Sequence, residues 1–206
     1  MKKSVLFGIS GGNSFRDHTQ LYEHYKNYDI DYIHTEKYWM DWLMWSLENE
    51  CACIKLKMPG SDNADYGVWK IMFEKYLHKY GSEDLNIVSH SLGTTFILKY
   101  LVECDLKINH LHLVAPFVSD DFQPSDFNES TGSFTFDHSV VNTVAERSRT
   151  VNIWYSEDDD VCTPKHAEYL HKQIKGSQLF CLEDRGHFNQ STFWELFEEL
   201  KSGICE

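Results

Sequence analysis

Residues 85–96 read LNIVSHSLGTTF: a short apolar, β-branched run, then a serine among small residues, then the apolar spacing of a helix. A strand that turns directly into a helix bends sharply at its junction. The residue at that bend, Ser91, then carries its hydroxyl above the strand end, and the next amide, Leu92 N–H, aims at the same point. Small side chains two positions either side, here Ser89 and Gly93, let strand and helix approach; glycine is the usual residue at the first of these. A small-x-Ser-x-Gly pentapeptide is common by chance, because glycine and serine are both abundant. Its weight therefore depends on what surrounds it.

Outward from this junction the chain alternates. Runs at 4–9, 52–56, 85–89, 110–115, 150–155 and 178–182 are short and rich in β-branched or aromatic residues, as strands are. Segments 36–48, 66–79, 92–103, 139–147, 164–175 and 190–201 carry apolar residues three to four apart, as helices do. Pro164 suits a first helical turn, and Gly81 and Gly176 suit helix ends. Strand and helix alternating six times imply right-handed crossovers. The fold class expected is α/β: a three-layer α/β/α sandwich with a mostly parallel sheet of about six strands, forming a single domain over 1–206. Two connections are longer than needed, 10–35 and 117–137, and loops of that length are expected to be surface loops or lids that contact substrate.

Composition narrows the class of partner. Of 206 residues, 42% are hydrophobic and 25% charged, with 11 Gly and 4 Pro, which excludes disordered and fibrous chains. Nineteen basic against 32 acidic side chains give a net charge of −13. Protonating all 11 histidines would still leave the chain negative. Phosphate backbones and anionic lipid are therefore repelled, and no nucleic-acid partner is expected. Apolar runs are far too short to cross a bilayer, so no membrane span is expected. The start, MKKSVLFGISGGN, has too short an apolar run for a signal peptide, and reads as a first strand. Six cysteines without CxxC spacing point to reduced thiols and a cytoplasmic protein, not to structural zinc.

Sheets of this class bind ligands beyond the carboxyl ends of their strands, so the loops there should hold the chemistry. A serine hydroxyl is a poor nucleophile; it needs a base, and the base needs a carboxylate. After the fifth strand comes YSEDDDVCTPKHAEYL, and after the sixth EDRGHFNQ, which places an acid and then His187 behind Ser91 in chain order. Asp158, Asp159 and Asp160 are all open as the acid, although two of the three are expected to be a solvated, helix-capping turn. A calcium loop would need alternating ligands and a glycine where Thr163 and Pro164 stand. His90 is expected to pack or hydrogen-bond locally, since a neighbour of the nucleophile points away from it, and His138 is a rival base that follows no strand end. Oxyanion donors are expected at Leu92 N–H and, from the SGGN loop, Gly12 N–H, with Gly11 allowing the turn. That loop lacks the spacing and lysine of a phosphate loop. Neither metal nor organic cofactor is required.

The chain resembles the small serine hydrolases of the α/β-hydrolase superfamily that include retinoblastoma-binding protein nine and its bacterial relatives. The resemblance rests on the first strand with its glycine loop, Trp39 to Leu43, the strand ending in Met58-Pro59, SHSLG, GSFTFDHSVV, the acid loop and DRGHF. It implies a triad of Ser91, Asp159 and His187. Asp159 takes the catalytic place when the acid loops are matched without gaps, with Val161 and His166 following. Ser89 in place of Gly and an insertion within 12–36 depart from the family pattern. The expected function is serine hydrolysis of small carboxylic esters through an acyl-enzyme on Ser91. The alternative is a protein-interaction module on a hydrolase scaffold with an idle triad, and a metal-dependent hydrolase is a third. Trp39, Trp42, Trp69 and Phe117 are expected mainly as core, less as an acyl pocket. A small-molecule substrate is the expected partner; a protein partner and the oligomeric state are open.

Overall fold

A computed structural model describes residues 4–28, 38–123, 127 and 129–204. Among these residues six strands form one sheet: β1 (Val5–Ile9), β2 (Ala52–Leu56), β3 (Leu85–His90), β4 (Ile108–Val114), β5 (Ser148–Ser156) and β6 (Gln178–Leu182). Their order is β2-β1-β3-β4-β5-β6, and every pair is parallel. The central strands are buried along nearly their whole length, as strands covered on both faces must be. That is why they read as unbroken apolar runs instead of alternating ones.

Among the described residues seven helices accompany the sheet: α1 (His18–Lys26), α2 (Trp39–Ser46), α3 (Tyr66–Tyr80), α4 (Leu92–Glu103), α5 (Thr143–Arg147), α6 (Pro164–Gln173) and α7 (Trp194–Ile204). From β1 the chain crosses to β2 in one direction, and from β3 onward it runs in the other. Right-handed crossovers then put α2 on one face and α3, α4 and α6 on the opposite face. Ring contacts agree with this. Trp39 of α2 meets Phe193 at 5.5 Å and Trp42 meets Trp194 at 4.7 Å, so α2 and α7 share a face. Trp69 and Phe73 of α3 meet Phe96 of α4 at 5.7 and 5.3 Å on the other. The result is the three-layer α/β sandwich expected. Among the described residues no helix is long and apolar enough to cross a membrane.

Several expected boundaries need correction. The connection 10–35 is not without regular structure: α1 lies inside it, although residues 29–35 fall outside the described set. Asp17 caps this helix by accepting from the Thr19 and Gln20 amides at 2.8 and 3.0 Å. No residue of α1 is buried, so the helix has no apolar stripe to betray it. The helix expected at 139–147 is split into a 3₁₀ turn at His138–Val140, which Asp137 caps by accepting from the Ser139 amide at 2.9 Å, and the short α5. The last helix starts at Trp194 and ends at Ile204, later than the expected 190–201. Helix α2 covers Trp39–Ser46; residues 36 and 37 of the expected 36–48 lie outside the described set.

The reversal of direction between β1 and β3 opens a crevice at their carboxyl ends. Register aligns Ile9 with Ser89, so the loop after β1 lies beside the turn after β3. The first turn of α4 is pressed against that loop: a Cβ on Gly93 would stand 2.7 Å from the carbonyl oxygens of both Ile9 and Ser10. Backbone atoms cannot yield as a side-chain tip can. Gly93→Ala is therefore expected to destabilise the fold by about 1–3 kcal/mol, measurable by chemical denaturation, whereas an unchanged midpoint would show that α4 moves freely off β1.

Candidate active site

Ser91 stands between β3 and α4 with φ 53° and ψ −126°, a backbone conformation disfavoured for any L side chain. Its neighbours hold it there. The Ser91 amide donates to Val114 O at 3.0 Å, continuing the β3–β4 ladder, and its carbonyl accepts from the Thr94 amide at 2.8 Å and the Thr94 hydroxyl at 2.6 Å. Gly11 passes so close that a Cβ there would come within 2.9 Å of Ser91 Cβ. Ser89, where glycine is usual, is fully buried, and its hydroxyl donates to His112 O at 3.2 Å. The extra atoms of Ser89 thus face β4 and leave the bend undisturbed.

The acid loop follows β5. Asp159 is 4% exposed, and its carboxylate is fixed by three donors. The Val161 and Cys162 amides reach Oδ1 at 2.9 and 2.8 Å, and His187 Nδ1–H donates to Oδ2 at 3.0 Å. Of the three aspartates, Asp159 is the one paired with the imidazole. Asp158 turns away and accepts from the Gly186 amide at 3.0 Å, tying the acid loop to the histidine loop. Asp160 is exposed.

His187 sits in a loop of left-handed residues, Asp184, Gly186 and Phe188. Phe188 is fully buried against Phe193 at 5.2 Å and anchors the loop on the core. His90 hydrogen-bonds within this group of loops. Its Nε2 lies 3.0 Å from the His187 carbonyl, and a carbonyl only accepts, so Nε2 carries the proton and His90 braces the His187 backbone. Burial and the neighbouring His187 push His90 down to about 3, which keeps it neutral. The rival base His138 packs against Phe136 and Tyr169 and belongs to another part of the molecule. His166, named in the acid-loop match, is buried and accepts from the Val118 amide at 3.0 Å.

Ser91, His187, Gly11 and Gly12 line one cavity of about 660 Å³. Ser91 Oγ makes no hydrogen bond with the imidazole among the described residues. Beside the two lies Cys162, which chain order alone did not single out: its sulfur is 4.0 Å from Ser91 Oγ and also interacts with His187. The Leu92 amide opens α4 and has no partner within the helix, as for any first-turn amide. Trp39 lines the cavity, whereas Trp69 and Phe117 are core and Trp42 packs on Trp194. Cavity residues missed by sequence reasoning, His24, Tyr28 and Glu129, come from the two long connections.

A parallel six-stranded sheet carrying a strained serine at a strand–helix junction, with a histidine–carboxylate pair on the same edge, defines an α/β-hydrolase. Residues 33–203 match the family described as "Serine hydrolase", and the chain belongs to that family. No match was found among curated protein sequences. The chain is similar in structure to the ydeN gene product of Bacillus subtilis, with a TM-score of 0.75 at 21% identity, covering 98% of this chain and 100% of that one. A putative YdeN-like hydrolase of Pectobacterium atrosepticum matches with a TM-score of 0.62 at 15% identity over 98% and 91% of the two chains. The 2-hydroxy-6-oxo-6-phenylhexa-2,4-dienoate hydrolase of a Rhodococcus species matches with a TM-score of 0.68 at 13% identity over 99% and 91%. These likenesses show the fold; family membership supports hydrolysis as the activity.

Electrostatics of the pair set a pH dependence. Burial opposes the His187 imidazolium, while an ionised Cys162 and the Asp159 carboxylate favour it, and the balance lies above the usual imidazole value of 6.5. Burial also holds the Cys162 thiol above its usual 9, so near neutrality the sulfur is uncharged and the upward push is that of Asp159. A base must be neutral to accept a proton. With His187 as the proposed base, activity is expected to rise with pH as the imidazole loses its proton, and Asp159→Asn to move that limb downward while lowering kcat by about 10³–10⁴-fold. A limb left in place by Asp159→Asn would contradict this.

Proposed function

We propose that the chain cleaves small carboxylic esters through an acyl-enzyme on Ser91. The observation that carries this reading is the His187–Asp159 pair, closed at 3.0 Å, facing the cavity that Ser91 also lines. With Nδ1–H donated to the carboxylate, His187 offers the lone pair of its other nitrogen as general base. Ser91 Oγ attacks the ester carbonyl carbon and its proton passes to the imidazole. The carbonyl oxygen becomes an oxyanion, for which the Leu92 and Gly12 amides are the proposed donors. The carbon–oxygen bond to the alcohol then breaks, and the alcohol leaves with the proton from His187. Water repeats the sequence on the acyl-serine, and the carboxylic acid is released.

The absence of a Ser91–His187 hydrogen bond is the one feature that favours the second reading, an interaction module with an idle triad. Apo sites commonly hold this bond long or misaligned until substrate is bound, and one χ1 step of Ser91 moves its hydroxyl between staggered positions. A fluorophosphonate probe separates the readings. Mass mapping is expected to find the adduct on Ser91, and Ser91→Ala to lower p-nitrophenyl acetate turnover by at least about 10³-fold. An unlabelled Ser91 in folded protein, or equal turnover by the variant, would favour the interaction module.

A further inference from the structure

Glu129 lies on the wall of the Ser91 cavity, supplied by the 117–137 connection. Its side chain is about three-quarters buried at 24% exposure, yet no donor among the described residues hydrogen-bonds to its carboxylate. The nearby ring of His24 stays 3.9 Å away, and burial lowers the pKa of His24, so it brings no proton charge to Glu129 near neutrality. The cavity's lysine is already engaged: Lys55 Nζ lies 2.7 Å from Asp41 Oδ1. Two further members of the lining, Tyr28 and Tyr38, are substantially exposed aromatic side chains.

A carboxylate that shares a cavity with exposed aromatic side chains is the chemistry that recognises an ammonium group, by charge and by ring quadrupoles. We propose that Glu129 selects ester substrates that carry a protonated amine or quaternary ammonium close to the scissile bond. The inference rests on the ester-hydrolase reading above. Glu129, Ser91 and His187 line the same cavity, so a cation held at Glu129 would share the space in which the ester is placed. Burial raises the Glu129 carboxyl above its usual range, and a bound cation would reverse that penalty. The net charge of −13 draws cations toward the molecule as a whole. Glu129, His24 and Tyr28 all come from the two long connections and not from strand ends, which is where selectivity can vary without disturbing the relay.

The test uses matched esters that differ only in charge. Choline butanoate is paired with 3,3-dimethylbutyl butanoate, and the p-nitrophenyl ester of 4-(trimethylammonio)butanoic acid with that of 5,5-dimethylhexanoic acid, so that the cation lies in the alcohol or in the acyl part. The wild type is expected to favour the cationic member of at least one pair by about tenfold in kcat/KM, mostly through KM. In Glu129→Gln that ratio is expected to fall toward one, and in Tyr28→Leu to fall severalfold; reading a ratio cancels any general loss of activity. Equal or reversed preference in both pairs, or a preference that survives Glu129→Gln, would overturn the inference while neutral-ester turnover leaves the hydrolase reading standing. No Ser91-dependent turnover of any of the four esters would overturn both.

Discussion

Close approach of the first turn of α4 to the end of β1 is the constraint on which the rest of the site depends. Carbonyl oxygens of Ile9 and Ser10 lie where any side chain at position 93 would have to be. The helix can therefore begin immediately after β3, without a loop, and Ser91 is forced into a left-handed conformation at the junction. Such strain persists only where surroundings over-determine it. Here the Ser91 amide is fixed by β4 and its carbonyl by Thr94, whose hydroxyl in turn accepts from the Phe117 amide at 3.2 Å. The serine's position is thus a property of the sheet, and no bond from its own side chain is needed to hold it.

Three adjacent aspartates divide into different tasks because the loop carrying them turns tightly. Asp159 faces inward and is hydrogen-bonded by two amides and an imidazole, as a buried carboxylate must be. Asp158 reaches across to Gly186, and the Ser156 hydroxyl meets both Asp158 and the Arg185 amide, so the loops after β5 and β6 form one unit. His90 closes the third side by holding the His187 carbonyl. The imidazole is consequently oriented by backbone contacts from three strand ends. That rigidity suits the role proposed for His187, a base that must meet Ser91, whose own position is equally fixed.

The sheet was legible because its strands are buried on both faces, which leaves apolar runs that no surface helix would show. Ser91, the acid loop and His187 were legible because parallel topology sends every strand's carboxyl end to one edge. What could not be read has physical reasons too. Helix α1 has no buried face and is specified by its Asp17 cap, so periodicity is silent there. The segment 138–147 keeps the apolar spacing of one helix while its backbone forms two short pieces, and spacing alone does not record that break. Glu129 and His24 meet through the fold of two irregular connections, and no spacing along the chain encodes that meeting. Cys162 belongs to the same group: three residues past Asp159, it looks like loop filler until the turn brings it against Ser91.

That thiol bears on how the relay keeps its charge. A buried carboxylate beside a second ionised group would be costly, and a charged sulfur at this position would hold His187 in its protonated, inactive form. Burial prevents this by keeping Cys162 neutral, so it behaves as a small apolar side chain filling the space beside Ser91. The Cys162 amide does different work, donating to Asp159 Oδ1 at 2.8 Å and holding the carboxylate against the imidazole. One residue therefore positions the carboxylate through its backbone and withholds negative charge from the imidazole through its side chain. Both effects act on His187, one through the placing of its partner and the other through the charge around it.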